Sequence, residues 1–568
     1  MKKDVVKDVM TKEKKNMPIG VDDFAELIQK NYYFVDKTGF IREIMDRQGK
    51  VTLITRPRRF GKTLGLSLLE YFFSLENAAE NRELFRGLAI EQAGEKYMSE
   101  QGTRPVILLT FKDIKERKWS DMLDMLSELF SALYGNFQYV LDNSDISPKN
   151  KNDFLMILQG TTKVSKLKLA LFTLTQCLYE YYRKKPVLLL DEYDTPVISA
   201  WEHHYYDECI QFYRGLYGAA LKNNDYLDFA VLTGITRVSK ESIFSGLNNL
   251  LVCGVLSDMY ADKFGFTVQE AEKLMKDSAS ADKMTDLRAW YDGYIFGGQE
   301  IYNPWSVINF VGNNCKFQPY WINVSENAIL RDMLQNVDSR RRRELESLLN
   351  GDTVEAVINE NVVYADLDGD RDTLFTMLLH TGYLKAVAMH RRPDDIQTVS
   401  LKIPNREIRQ AYKQEILRYV VPKQGISLLQ EMLSAMMGGR TVEFEEALSQ
   451  VLLDTVSYHD TAQPENFYHG LLLGLSVYLG DVYRVESNRE SGYGRFDIAF
   501  FPQNKGQTGV ILEIKAAKTE DEMQESARAA LRQIKDKAYL TALTNQGVTK
   551  IWQYGVAFCG KKVVIEAG

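Results

Sequence analysis

No run of eighteen apolar residues occurs in the 568-residue chain, which argues against a membrane-spanning helix. The opening stretch, MKKDVVKDVMTKEKK, is charged and lacks the apolar core of a secretory signal, so a cytoplasmic protein is expected. Cysteine is scarce. Cys177, Cys209, Cys253, Cys315 and Cys559 show neither pairing nor metal-ligand spacing, which points to a reducing compartment and buried thiols. The six histidines form no metal-binding pattern, and His203-His204 reads as a polar helix or loop pair. A dominant charge sign is also missing. With 70 basic and 77 acidic residues the net charge is -7, so nucleic acid would have to be met by local patches.

What remains is an ordinary globular composition, 45% hydrophobic and 26% charged, in a chain too long for one core. Three or more units are expected. The divisions read here are an arm (1–17), a nucleotide domain (18–262), a mostly helical middle (263–458) and a C-terminal α/β domain (459–568).

Val51 to Leu69, VTLITRPRRFGKTLGLSLL, organises the first part. A β-branched apolar segment runs through a basic loop into Gly61-Lys62-Thr63, and an apolar helical run follows. Strand, loop, helix is the context in which GK[ST] marks a phosphate site. Backbone N–H groups at the helix start face an anion, Lys62 supplies charge to the β- and γ-phosphates, and the Thr63 hydroxyl can ligate Mg²⁺. The usual pattern opens with glycine five positions before Gly61, where this chain has Arg56.

Pro105 to Phe111 and Pro186 to Leu190 read as buried strands. Helical regions are expected over Met122 to Tyr134, Asp153 to Tyr182 and Tyr205 to Lys222. PVLLL runs straight into Asp191-Glu192, placing both acids at the C-terminal edge of a parallel sheet, where open α/β folds bind ligands. Asp191 can hold Mg²⁺ and Glu192 can polarise the attacking water. Asp194 is either an auxiliary acid or a turn residue. The short strand Phe229 to Leu232 is followed by Thr233-Gly234-Ile235-Thr236-Arg237, where a polar residue can sense a γ-phosphate. Arg237 reads equally as a charge-stabilising residue or as a surface arginine. Acting in trans, Arg237 would require a homo-oligomer. Asp36-Lys37-Thr38 is either solvent face or nucleotide face, and spacing does not decide. Ser245-Gly246 and Asn248-Asn249 are candidate conformation-sensitive loop residues.

The aromatics of AWYDGYIFGGQEIYNPWSVINFV form either a small core around a Gly-rich turn or a recognition surface. Asn303-Pro304-Trp305-Ser306 reads as an N-cap and helix start. Helices dominate from Glu326 to Ile358 and again from Glu407 to Leu453, with a turn and short strand over Pro393 to Pro404. Arg340 to Arg343 read first as a solvated helix face and second as a nucleic-acid contact.

The last hundred residues change period. Phe467 to Leu479 reads as a helix, with Glu465 and His469 sharing a face. Strands follow over Val482 to Ser487, Gly494 to Phe500 and Thr508 to Lys515, then a helix over Asp521 to Tyr539. Val548 to Tyr554 and Val556 to Ile565 read as edge strands. Strand side chains at i and i+2 share a face, so Glu513 and Lys515 point together while Ile514 points to the core. If Asp497 lies beside them, two carboxylates can hold Mg²⁺ or Mn²⁺ against a phosphodiester while Lys515 orients water. The alternative is a half-exposed hairpin with a routine Glu–Lys pair. Glu490 is another acid near the start of the hairpin, and Gln533 and Lys537, one turn apart on the next helix, can approach the same pocket.

Taken together, YYFVDKTGFI, RPRRFGKT, PVLLLDEYD, LTGITRVSKESIFSGLNNL, WYDGYIFGG–YNPWSVINF, SNRESGYGRFDIAF, ILEIKAA and LRQIKDKAY resemble the bacterial AAA-ATPase-like domain, which is usually followed by a PD-(D/E)XK nuclease-superfamily domain. The resemblance implies an α/β P-loop NTPase sheet of the additional-strand type, a helical middle and a restriction-endonuclease-like end. It implies Walker A at Lys62 and Thr63, Walker B at Asp191 and Glu192, and a sensor at Thr236 with Arg237 beside it. Arg56 in place of glycine is what this family does. The nucleotide contacts implied run over Arg58, Arg59, Phe60, Gly61, Lys62, Thr63 and Leu64. Arg58 and Arg59 either add charge over the phosphates or face DNA or another domain. The nuclease pattern carries to Asp497, Glu513 and Lys515, with Gln533 similar to a helical glutamine of many members and Glu490 an added acid. Phe496 stands where proline would be. The expected cofactors are ATP and Mg²⁺, or Mn²⁺ at the nuclease site, and the expected partner is DNA. A nucleotide-dependent switch that binds nucleic acid or protein without cleavage is the alternative.

Overall fold

The structure, a computed structural model, describes residues 15–237, 243–244, 249–321, 344–345, 347–349, 351–359, 371–420, 426–455, 482–491, 494–504 and 506–568. Ser245, Gly246, Asn248, the arginine run 340–343, Glu465, His469 and the helix expected over 467–479 lie outside them. Two compact units are formed: residues 1–325 with 355–407, and 326–354 with 408–568. The stretch 263–458 contributes to both.

The first unit is built on a five-stranded parallel sheet of β1 (Val51–Thr55), β2 (Val106–Thr110), β3 (Val187–Asp191), β4 (Ala230–Gly234) and β5 (Leu250–Cys253), in the order β2-β3-β4-β1-β5. Every residue of β1, β3 and β4 is buried, as expected of strands covered on both faces. Their sequences are accordingly continuous apolar runs rather than alternating ones. The covering helices include α1 (Lys62–Phe73), α2 (Trp119–Asn136), α3 (Ala170–Tyr182) and α4 (Tyr206–Leu221). The helical run expected over Asp153 to Tyr182 is broken, because Gly160 takes a left-handed φ of 65° and ends the helix Pro148–Leu158. β4 separates β1 from β3, with Leu53 paired to Leu232 and Leu189 to Val231. One strand inserted between the strand that precedes GKT and the strand that ends in Asp191 is the additional-strand P-loop arrangement.

The unit also holds a small sheet of β6 (Phe266–Thr267), β7 (Tyr294–Phe296) and β8 (Gln299–Tyr302), order β6-β8-β7. Gly297 and Gly298 turn β7 into β8 with φ of 48° and 78°. Tyr291, Tyr302 and Phe310 are wholly buried in one cluster, so these aromatics of the motif are core, while Trp290 and Trp305 are half-buried. Asn303 Oδ1 accepts from Trp305 N and Ser306 N and caps α5 (Pro304–Gly312). β9 (Val354–Ala356), β10 (Lys385–Arg391) and β11 (Gln397–Lys402) make a third sheet, and α6 (Arg371–Thr381) precedes β10. β10 escaped the sequence reading because it is half exposed and carries a bulge between Ala386 and Ala388, which breaks its alternation.

In the second unit α7 (Arg406–Val420), which begins at the end of the first, leads to α8 (Ile426–Gly438) and α9 (Thr441–Thr455). A mixed sheet follows, β12 (Tyr483–Ser491), β13 (Gly494–Pro502), β14 (Gly509–Ala516), β15 (Ile551–Cys559) and β16 (Lys562–Ala567), in sequential order. β14 and β15 are parallel, and α10 (Met523–Asp536) lies in their crossover. The two edge strands expected at the end need correction. β15 runs unbroken through Gly555 and is interior, so of the two only β16 is an edge strand. A Cβ at Gly555 would lie 2.1 Å from Ala527 O and 2.5 Å from Leu531 N, so this glycine marks close approach of α10, not a turn. Among the described residues no helix is long and apolar enough to cross a membrane.

Candidate active sites

The loop between β1 and α1 carries its left-handed residues at Arg59 (φ 70°) and Gly61 (φ 83°), not at position 56. That is why Arg56 is tolerated where glycine is usual. Its side chain is wholly buried, and the guanidinium donates to the carbonyls of Thr55, Cys253 and Gly254 at 2.8–2.9 Å and of Met259 and Tyr260 at 3.3 Å. It stands 4.9 Å from the Phe296 ring centroid. Arg56 therefore ties the phosphate loop to the chain after β5. Phe60 is buried against Tyr294 and Phe296, Leu64 is half-buried and Thr63 is exposed. Arg59 stacks on Trp305 at 4.3 Å, and the Arg58 carbonyl accepts from Trp321 Nε1.

Lys62 is buried. Its Nζ donates to Arg56 O (3.1 Å) and Pro57 O (2.9 Å), back into its own loop. Burial lowers its pKa, opposed by the charges of Asp191, Glu192 and Asp194. Thr63 Oγ1 donates to Asp191 Oδ2 at 2.6 Å, which brings the ends of β1's loop and β3 together. Thr233 on the intervening β4 donates to Asp191 Oδ1. Glu192 has a left-handed φ of 49° and accepts from Thr195 Oγ1. Asp194 is wholly buried, and its Oδ2 accepts from Ile235 N, Thr236 N and Thr236 Oγ1 at 2.8–3.1 Å. Gly234 makes room for it, since a Cβ there would lie 2.7 Å from Asp194 Oδ1. Thr236 thus has its hydroxyl on Asp194. Arg237 follows it, half-buried. Asp36-Lys37-Thr38 is structural: Asp36 and Thr38 accept the amides of Ala89 and Ile90, and Lys37 Nζ is bonded to Glu270 and Asp262 O.

In the second unit β13 and β14 pair from Phe500↔Val510 to Ile498↔Leu512, and Asp497 and Glu513 are the next residues on the two strands beyond that ladder. There the Asp497 carboxylate, not the strand backbone, takes the Ile514 amide at 2.7 Å. Glu513 is buried and accepts from Gln533 Nε2 on α10, which packs against that face because Gly555, the β15 partner of Glu513, has no side chain. Ile514 is buried and Lys515 half-buried, but Glu513 is as buried as Ile514, so burial does not alternate along this stretch. Glu490 pairs with Arg495 on the β12–β13 ladder, and its side chain lies outside the described residues. Lys537 is exposed just past α10.

Residues 18–244 match the family model described as "Predicted AAA-ATPase", and residues 463–568 match that of the PD-(D/E)XK nuclease superfamily. The chain carries an AAA-ATPase-like domain and a PD-(D/E)XK superfamily domain. It is 26% identical over 540 residues to an uncharacterized protein in the vnfD 5' region of Azotobacter chroococcum mcd 1, covering 93% of each chain. The architecture is that of an ATP-binding, NTPase-type domain joined to a nuclease-superfamily domain.

The AAA-ATPase-like site suits a nucleotide with a hard cation, because a threonine hydroxyl and a carboxylate meet at the helix start. In the PD-(D/E)XK domain Asp497 and Glu513 are hard oxygen donors on neighbouring strands, a chemistry that suits Mg²⁺ or Mn²⁺. Among the described residues no group of three or more His, Cys, Asp or Glu side chains is gathered as a metal site. Sequence reasoning passed over Thr233, whose signal was a hydroxyl in the apolar strand AVLTG, and the anchoring role of Arg56. Trp305 and Trp321 gave no signal.

Proposed function

We infer that the protein is an ATP-regulated, metal-dependent nuclease acting on DNA in the cytoplasm. In this reading 18–262 bind and hydrolyse ATP, 459–568 cut, and 263–458 transmit. The observation that carries it is Glu513. A carboxylate buried in an interior strand costs stability unless held, and here it is held by Gln533, while Asp497 on the neighbouring strand accepts the amide of the next residue, Ile514. A divalent ion bound there supplies Lewis acidity to the scissile phosphate. Lys515, on the same strand face, orients water and offsets developing charge. At the other site Lys62 binds the β- and γ-phosphates, Thr63 and Asp191 hold Mg²⁺, and Glu192 orients the attacking water. Thr236 acts as the sensor, and Arg237 stabilises the transferring charge. Arg58 to Leu64 line the phosphates, and Glu490 adds an acid at the cutting site.

Purified protein with Mg²⁺ or Mn²⁺ should cut DNA, and Asp497→Ala and Glu513→Ala should each abolish cutting. Full cutting by both variants would sink the assignment. Lys62→Ala should lose ATP binding, and Glu192→Gln should bind without hydrolysis. The second reading is a nucleotide-dependent switch whose C-terminal domain binds nucleic acid without cleavage. In its favour, Glu513 and Asp497 already have protein partners, Gln533 Nε2 and the Ile514 amide. DNA binding with no cleavage under any metal would select it.

A further inference from the structure

Two segments converge on the back of the phosphate loop, and both stand where the chain leaves the first unit. Trp321 is the last described residue before the crossing at 325–326, and Glu407 is the last residue before the crossing at 407–408. One wholly buried carboxylate joins them. Glu407 Oε1 accepts the Trp321 amide at 2.7 Å, and Glu407 Oε2 accepts from Ser306 Oγ at 2.7 Å. Ser306 lies in the first turn of α5, next to Trp305. The Trp305 ring carries Arg59, and its Nε1 donates to Tyr320 O at 3.2 Å. The Trp321 indole donates to Arg58 O at 3.3 Å. Arg58 and Arg59 immediately precede Phe60-Gly61-Lys62. The loop that would bind phosphate is therefore gripped by two tryptophans, and Glu407 in the first turn of α7 bonds the backbone of one and the sequence neighbour of the other.

We propose that Glu407, Ser306, Trp305 and Trp321 are positioning residues that link the conformation of the Arg58–Gly61 loop to the start of α7, and so pass the nucleotide state to the chain entering the second unit. This deepens the ATP-regulated reading by naming its transmission route. A coupling route requires one network whose arrangement both ends can bias. Here the network is two buried bonds to the Glu407 carboxyl group and two part-buried indole bonds to backbone carbonyls, which together resist independent movement of their ends. α7 is a single helix whose first two residues, Arg406 and Glu407, belong to one unit and whose remainder belongs to the other, so a shift of Glu407 is a shift of the helix start.

The test is amide hydrogen exchange on the full chain. Without nucleotide, Glu407→Gln and Trp321→Phe should each speed exchange at residues 58–61 by about tenfold, the loss of one buried charge-assisted or indole bond. Exchange in β2 should not move. If the Trp321 amide speeds in Glu407→Gln while 58–61 do not, the proposal is overturned. Should Glu407→Gln fail to fold, Ser306→Ala is read by the same criterion. With Mg-ATP the parent should show slowed exchange at 58–61 and at 406–408. Trp321→Phe should keep the first and lose the second, a split that a merely structural role would not produce. Protection at 58–61 that never reaches 406–408 in the parent overturns the route. Absence of any ATP effect at 58–61 overturns the nucleotide-site reading instead, and the nucleotide-free arm then decides the linkage.

Discussion

Replacing Gly555 with alanine adds one methyl group and should unseat α10. The new Cβ would stand 2.1 Å from Ala527 O, 2.5 Å from Leu531 N and 3.0 Å from Leu531 Cβ. Two of the three atoms are helix backbone, so no side-chain rotation relieves the overlap. Either α10 moves outward by about 1 Å or β15 bends, and overpacking of this kind costs about 1–3 kcal/mol. α10 also carries Gln533, which holds Glu513. A displacement of that size at a preorganised site costs on the order of 100-fold in rate. Gly218→Ala makes the opposing control. Gly218 lies inside α4 with nothing within 4 Å of its Cβ position, so alanine there should stabilise by up to about 1 kcal/mol. Calorimetry of the full chain, with hydrogen exchange of Met523–Asp536 to assign the transition, measures the first effect, and a cleavage assay measures the second. A Gly555→Ala protein as stable as the parent, with α10 exchange unchanged, would refute the packing argument.

Arg56→Met should destabilise the first unit by about 3 kcal/mol or more, because five carbonyls lose a buried charged donor; urea unfolding measures it. Burial, with Arg56 nearby, depresses the His380 pKa from 6.5 to about 4. The unfolded chain therefore binds the proton more readily, so stability is present above pH 6.5 and is lost as pH falls towards 4, by about 3 kcal/mol. His380→Leu should flatten unfolding free energy over that window, and an unchanged pH slope would refute the assignment. Gly61→Ala places an L side chain at φ 83° and should cost about 1–2 kcal/mol and weaken ATP binding, checked by urea unfolding and titration.

The parallel sheet was readable because β1, β3 and β4 are buried on both faces, and that requirement writes itself as VTLIT, PVLLL and AVLTG. Asp191-Glu192 was equally readable, since a charged pair ending such a strand has only the sheet edge to occupy. Alternation around Glu513-Ile514-Lys515 put Glu513 and Lys515 on one strand face, but left open whether Asp497 lies beside them. What alternation could not convey was that Gly555 admits a helix, because a glycine reads the same at a turn and at a close approach. Nor could it show that Arg56 faces inward: its partners are backbone carbonyls, which have no residue identity. β10 was missed because a bulged, half-exposed strand has no period to detect.

The first unit is discontinuous, and this orders events during synthesis. A ribosome completes residues 1–325 before it makes 355–407, the segment that brings His380, Gly382 against Pro57, and Glu407 to the back of the phosphate loop. Domains fold as they emerge, at about 5–20 residues per second. The nascent nucleotide loop therefore waits several seconds with its parallel sheet made and its backing absent. A chain that stalls or is cut before Glu407 leaves a sheet that can form and a loop that nothing grips.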